Sequence, residues 1–315
     1  MKYPEFSANM LLPKYWLTWI GFGIWWSLAQ LPYSVQMWLG RRMAKLISIF
    51  GQKRISIAKR NLELCFPELD QSQQKDLLQK HINSLGMVFF EIGFAWFASA
   101  NRLKKRVRYT GLEHLKTAEA EGVGVVLMTM HSTHLDLGAS FINLQHSIDG
   151  SYREHNNKVY DFIQHRCRER FNSDTTAIET EDVRTVVKHL RKGRAVWYAP
   201  DQDYGKKAEK SNLFLPFFGV TAACISSTSD FARMGKAKVI PFFCIREENS
   251  YHILIQPPLE QFPSDDKFED TKRIISIVEN AIRMAPEQYL WVHRRFKTRP
   301  KGEPSLYKDK HQSLE

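Results

Sequence analysis

The stretch GVGVVLMTMHSTHLDLG, residues 122–138, constrains this chain more than any other: an apolar run, Val123 to Met128, stops at His131, and a carboxylate, Asp136, follows five residues later. A short apolar run without polar alternation reads as a buried strand, and a histidine at its end is presented as a base. Neutral imidazole takes a proton from an alcohol near pH 7, and a carboxylate on its other nitrogen fixes the tautomer and stabilises the imidazolium that forms. That chemistry suits acyl transfer to a hydroxyl. Five residues are about 140° out of phase on a regular helix, so the pair meets only with His131 on the strand or turn and Asp136 in the next helical turn. A plainer reading of the same residues is a polar cap, with Ser132 or Thr133 opening a helix. His134 completes an H-x-x-H-x-D trio, but the other histidines are scattered singly, so no metal site is expected and His134 reads as a pocket or surface residue.

With 315 residues, 43% hydrophobic and 25% charged, the chain can bury a large core and is not disordered. Its net charge of +11 implies an anionic partner: nucleic acid, acidic lipid headgroups or an acidic carrier protein. Cys65, Cys167, Cys224 and Cys244 form no C-x-x-C pair, so neither a disulfide framework nor a metal knuckle is indicated, and buried free thiols in a reducing compartment are expected. From Tyr15 to Gly40 there is no charged residue. That length can cross a bilayer, while Gln30 and Pro32 interrupt it and Trp16, Trp19, Trp25 and Trp26 suit a helix lying at the interface. Residues 1–40 are therefore read as a hydrophobic membrane-anchor helix, spanning or interfacial. The cations that follow, Arg41, Arg42, Lys45, Lys53, Arg54, Lys59 and Arg60, precede any acid before Glu63. As a positive flank or as contacts to anionic lipid, they put the remainder on the cytoplasmic side.

Beyond the anchor, helices are expected over 41–62 and 71–100, separated by the turn Phe66 to Leu69 with Ser72 as cap. The aromatic stretch Leu85 to Phe97 reads as core packing rather than an acyl groove. Strands are expected at 106–110, 123–130, 195–198, 238–245 and 251–257. Helices are expected at 112–121, 155–172, 181–192, 226–234 and 270–284. Alternating strands and helices specify an α/β fold, a sheet with helices on both faces. One α/β domain then occupies 41–307, the segment from Lys297 is peripheral, and 308–315 is a polar tail.

Four further stretches join the histidine motif: the arginine-bearing segment from Tyr152 and Arg153 to Arg168, WYAPDQDYG at 197–205, the apolar loop Leu215 to Gly219, and APEQYLWVHRRFKTRP at 285–300. With NLELCFPEL at 61–69, they make the chain resemble the late acyltransferases of lipid A biosynthesis, the lauroyl/myristoyl transferase family of Gram-negative bacteria, from the anchor to about Tyr307. The resemblance implies a glycerolipid-acyltransferase-like mixed sheet at the cytoplasmic face of the inner membrane. It also implies acyl transfer from acyl carrier protein to the hydroxyl of a 3-hydroxyacyl chain on a lipid A precursor, with no cofactor and no metal. In that picture His131 is the general base and Asp136 its orienting partner. Where the family mostly carries Glu, this chain has Asp136, one methylene shorter. Arg168 matches the family's arginine after the aromatic helix, and Asp201 stands where related acyltransferases carry an acid.

Arg168 is a candidate for a substrate phosphate or the developing oxyanion, with Asp201, Arg153, Arg294 and Arg295 as further substrate-binding candidates. A membrane-bound thioesterase or hydrolase would use the same histidine to activate water, and an acyl-CoA-dependent mannoside acyltransferase is the nearest enzymatic alternative. A nucleic-acid binder would explain only the charge, so no nucleic-acid partner is expected.

Overall fold

In the computed structural model, residues 4–179, 182–205 and 213–307 are described; the tail expected at 308–315 lies outside them. A seven-stranded mixed sheet forms the centre, built from β1 (Val107–Thr110), β2 (Val125–Met128), β3 (Ile148–Tyr152), β4 (Ala177–Glu179), β5 (Ala195–Tyr198), β8 (Lys238–Arg246) and β9 (Tyr251–Ile255). Its order is β1-β9-β8-β2-β5-β3-β4, parallel except where β8 meets β9. A separate hairpin, β6 (Phe214–Phe217) with β7 (Val220–Ala223), replaces the apolar loop expected there. Strands β3 and β4 were not foreseen, because IDGSY and AIE carry too little apolar pattern to stand out.

The central strand β2 is buried along its whole length, as a parallel strand covered on both faces must be. Side chains alternate across a strand. Val126 and Met128 therefore enter one core with Val239 and Phe243, while Val125 and Leu127 enter the other with Ile240 and Phe242. The first core is closed by α3 (Gln52–Cys65), α9 (Val183–Leu190), α10 (Ser227–Gly235) and α11 (Lys267–Met284). The second is closed by α4 (Gln71–Phe97), α6 (Leu112–Ala120), α7 (Leu135–Asn143) and α8 (Lys158–Glu169), with the short α5 (Ala100–Lys104) supplying Leu103.

Helix α4 begins at Asp70, not Ser72: Asp70 Oδ1 accepts the Gln73 amide at 2.9 Å while Gln73 Oε1 accepts the Asp70 amide at 3.0 Å. This reciprocal capping box satisfies two otherwise unpaired amides. Its aromatic second half is core, as expected: Phe90, Phe94 and Trp96 are buried.

The N-terminal region departs from expectation. Helix α1 (Trp16–Gln30) has 15 residues, about 22 Å at 1.5 Å per residue, against roughly 30 Å of bilayer hydrocarbon. Leu31 and Pro32 then break the chain before α2 (Tyr33–Phe50). Among the described residues no helix is long and apolar enough to cross a membrane, which overturns the spanning form of the expected anchor. Helix α1 is instead fastened to the domain. The Trp25 indole donates to the Phe89 carbonyl at 2.9 Å and stacks on the Phe89 ring at 4.8 Å. Arg102 donates to the carbonyls of Ala29 and Leu31 at the end of α1. The boundary expected at residue 40 falls inside α2, and the expected helix 41–62 is two helices meeting at Gly51. Helix α2 lies against α4 at a glycine contact: a Cβ on Gly86 would stand 2.3 Å from the Gly40 carbonyl oxygen, so neither position has room for a side chain.

Candidate active site

Two neighbouring parallel strands deliver the pair at the centre of the site. β2 and β5 match Met128 with Tyr198, and the Thr129 amide extends the pairing to the Tyr198 carbonyl at 3.0 Å. His131 and Asp201 each stand three residues past those matched ends, so strand register joins residues 70 apart in sequence. This is the carboxyl end of the parallel strands, where open α/β sheets place ligands. His131 Nδ1–H donates to Asp201 Oδ1 at 2.8 Å, and the His131 amide donates to the same carboxylate at 3.1 Å. With Nδ1 engaged, Nε2 is the nitrogen left to accept a proton. Burial alone would lower the pKa of His131, but the Asp201 carboxylate outweighs it and holds the ring above its ordinary 6.5. Burial would raise Asp201, yet the charge and hydrogen bonds of His131 hold it below 3.8.

The pairing of His131 with Asp136 expected from sequence is therefore not the one formed. Asp136, in the first turn of α7, faces Arg168 of α8, whose Nε and Nη2 both reach Oδ1, at 2.9 and 2.8 Å. Both residues line the same cavity as His131. That cavity holds about 620 Å³ and continues between Ile148, Ile178, Val186, Val196 and Phe231. His131 and the Asp136–Arg168 ion pair thus share one cavity whose surface is mostly apolar.

His134, expected in a pocket or at the surface, is a core residue. Its Nε2–H donates to the Cys244 carbonyl at 2.8 Å, and burial together with the nearby Arg246 holds its pKa down at about 4. Arg246 is itself buried and paired with Glu91, at 2.6 and 2.8 Å, and its guanidinium also reaches Ser84 and Thr133. Thr133 contacts Ser84 at 2.9 Å. The buried ion pair therefore grips the loop that carries His131 from beneath.

From above, the 285–300 segment grips the same loop. The Thr133 amide donates to the Gln288 carbonyl and the Leu290 amide to the His131 carbonyl. The Gln288 side chain makes paired hydrogen bonds to the Arg246 backbone, at 2.8 and 2.9 Å. Asn61 then holds the segment, donating to the carbonyls of Trp291 and His293 and accepting from the Tyr307 hydroxyl. Asp203 accepts from the amide and hydroxyl of Thr298. Residues 297–307, expected to be peripheral, are tied to the core by these bonds.

The remaining candidates separate. Arg295 is buried, donating to the Ala223 carbonyl and the Cys224 sulfur with its guanidinium 4.8 Å from the Phe217 ring centre, so it is not placed to hold a substrate phosphate. Arg294 lies over the Tyr307 ring at 5.5 Å. Arg153 is exposed and borders a separate hollow between residues 4–15 and β3.

The family model for bacterial lipid A biosynthesis acyltransferases matches residues 3–298. The lipid A biosynthesis lauroyltransferase of Escherichia coli K12 is 40% identical over 307 residues, 96% of this chain and 99% of that protein. The palmitoleoyltransferase of the same organism is 40% identical over 306 residues, covering 96% and 98%. The myristoyltransferase is 24% identical over 310 residues, covering 98% and 95%. A solved 1-acyl-sn-glycerophosphate acyltransferase from Thermotoga maritima matches 80% of this chain and 97% of its own, with 12% identity and a TM-score of 0.39. The chain belongs to the bacterial lipid A biosynthesis acyltransferase family.

Proposed function

We propose that the protein moves a fatty acyl chain from acyl carrier protein to the hydroxyl of a 3-hydroxyacyl chain on a lipid A precursor, with His131 as general base. The observation that carries this reading is the His131–Asp201 contact at 2.8 Å, in the wall of a mostly apolar cavity. His131 Nε2 takes the hydroxyl proton as the oxygen attacks the thioester carbonyl. The C–S bond breaks, and the departing sulfur takes the proton back from the imidazolium. No acyl-enzyme forms. Asp201 is the positioning residue: it fixes the tautomer that leaves Nε2 as acceptor and stabilises the ring once protonated. The apolar walls suit the acyl chain, and Arg168, partly exposed and lining the same cavity as His131, suits a substrate phosphate or the developing oxyanion.

The reaction is read as taking place on an anionic membrane surface, the cytoplasmic face of the inner membrane. Trp16, Leu17, Ile20, Ile24 and Trp26 of α1 and Trp38, Leu46, Ile49 and Phe50 of α2 are exposed, beside the cations Arg41, Arg42 and Lys45. Rings and aliphatic chains interleaved with cations fit a helix pair lying in the headgroup layer.

The test is mass spectrometry of lipid A precursor incubated with the protein and with acyl carrier protein loaded with chains of several lengths. A gain of acyl mass that is absent with His131→Ala supports the reading and names the chain. No gain with any donor, or equal gain in the variant, refutes it.

A further inference from the structure

A second basic region, on the outer face of α9, differs from the α1–α2 face in what accompanies its charge. From Val183 to Pro200 the sequence contains five cations and no acid. Arg184, Lys188, Arg191 and Lys192 are exposed, and no ion pair is formed by Arg184, Lys188 or Lys192 among the described residues. Arg184 and Lys188 stand one helical turn apart on the same side, an arrangement of like charges that weakens a helix on its own. The acid nearest in sequence, Asp182, is engaged in capping α9, accepting the Thr185 amide at 3.0 Å. Arg191 is fixed by its Nε–H donating to the Met234 carbonyl, which brings exposed Lys236 to the same region.

The inner face of α9 belongs to the active site. Val183 and Val186 line the His131 cavity, and Val187 and Leu190 pack into the core below it. One helix, about 10 Å across, is therefore cavity wall on one side and a cationic surface on the other. Among the described residues the exposed large apolar side chains of this surface are Val183 and Met234, without the tryptophans and clustered aliphatic chains that accompany cations on α1 and α2. A surface of charge without apolar anchors fits an acidic protein better than a lipid layer.

We infer that the basic face of α9 is where the acidic acyl carrier protein docks, one helix thickness from the cavity that receives its thioester. The inference rests on the carrier-dependent reading above. Docking by charge raises the local concentration of the loaded carrier and weakens with salt.

The experiment compares wild type with the triple variant Arg184→Glu, Lys188→Glu, Lys192→Glu, which leaves the Arg191 contact in place, and with the corresponding triple glutamine variant. Each is assayed with lauroyl acyl carrier protein and with lauroyl-pantetheine, the same thioester without the acidic protein. Binding to phosphatidylglycerol vesicles is measured in parallel. The glutamate variant is expected to raise KM for the carrier donor roughly tenfold or more, with the glutamine variant between. The kcat, the rate with lauroyl-pantetheine and vesicle binding are expected to stay at wild-type values. Unchanged KM for the carrier donor overturns the inference, and vesicle binding lost alongside it assigns the face to lipid. A wild-type enzyme that uses lauroyl-pantetheine but not the carrier donor removes the donor reading itself, and this surface with it.

Discussion

His131 and His134 are three residues apart in one loop, yet their surroundings drive them in opposite directions. Both are pulled down by burial. His131 has a carboxylate on Nδ1 and is held above 6.5; His134 has a backbone carbonyl on Nε2 and a guanidinium nearby, and is held at about 4. The comparison teaches that proximity in sequence and histidine identity do not make a base. What makes one is a fixed negative partner on one nitrogen and an open chamber for the other.

The comparison can be broken most directly by His131→Ala, expected to cost about 10²–10⁴ in kcat while His134→Gln stays within a few-fold of wild type. Equal losses from the two, measured by acyl transfer to lipid A precursor, would end the distinction. Asp201→Asn is expected to lower kcat by on the order of 10². It also supplies a sharper signature in the pH profile. In the proposed mechanism the neutral ring is the base, so wild-type kcat/KM should fall as pH drops through a value above 6.5. Without the carboxylate, that acid limb moves to lower pH.

Stability should show the same opposition. A ring protonated at about 4 when folded and at 6.5 when unfolded leaves the unfolded state binding more protons between those values, so His134 weakens the fold as pH falls through that window. The expected loss is on the order of 3 kcal/mol, and His81, likewise buried and held at about 4, adds to it. The raised His131 contributes stability that is full below 6.5 and is lost as pH rises through its folded value. Chemical denaturation at pH 4.5 and 7, with and without His134→Gln, separates these contributions. The smallest effect is expected from Asp136→Asn. That pair with Arg168 is partly exposed, so its loss should cost less than about 1 kcal/mol, with activity reduced less than the Asp201 change reduces it. A larger activity loss than for Asp201→Asn would return Asp136 to the role read from sequence.

The α/β architecture, the buried strand ending at His131 and the closing helix were legible because apolar periodicity and strand-end chemistry are local. The partner of His131 was not, because it is set by register between β2 and β5. Asp201 follows β5 at the same offset as His131 follows β2, but a strand read from the apolar run as 123–130 hides that match, since it puts His131 directly after the strand. Asp136 drew the assignment by being close in sequence, although Arg168 claims it in space. Arg295 read as a ligand contact because arginines are mostly exposed, and only tertiary packing reveals it donating to the Ala223 carbonyl. The absence of charge from Tyr15 to Gly40 and the interruption at Pro32 are plain in the sequence, but the fastening of α1 to the domain by Trp25 and Arg102 is a tertiary fact that it does not carry.

The contact between Gly40 and Gly86 takes on another meaning once α1 and α2 are regarded as resting on lipid. Backbone meets backbone there, with nothing compressible between, so α2 and α4 cannot settle toward each other. Any tilt or sinking of the N-terminal pair would be transferred to the body that carries His131. If His131 is the base and the acceptor sits in lipid, two of the chain's sixteen glycines then set the elevation at which the two meet.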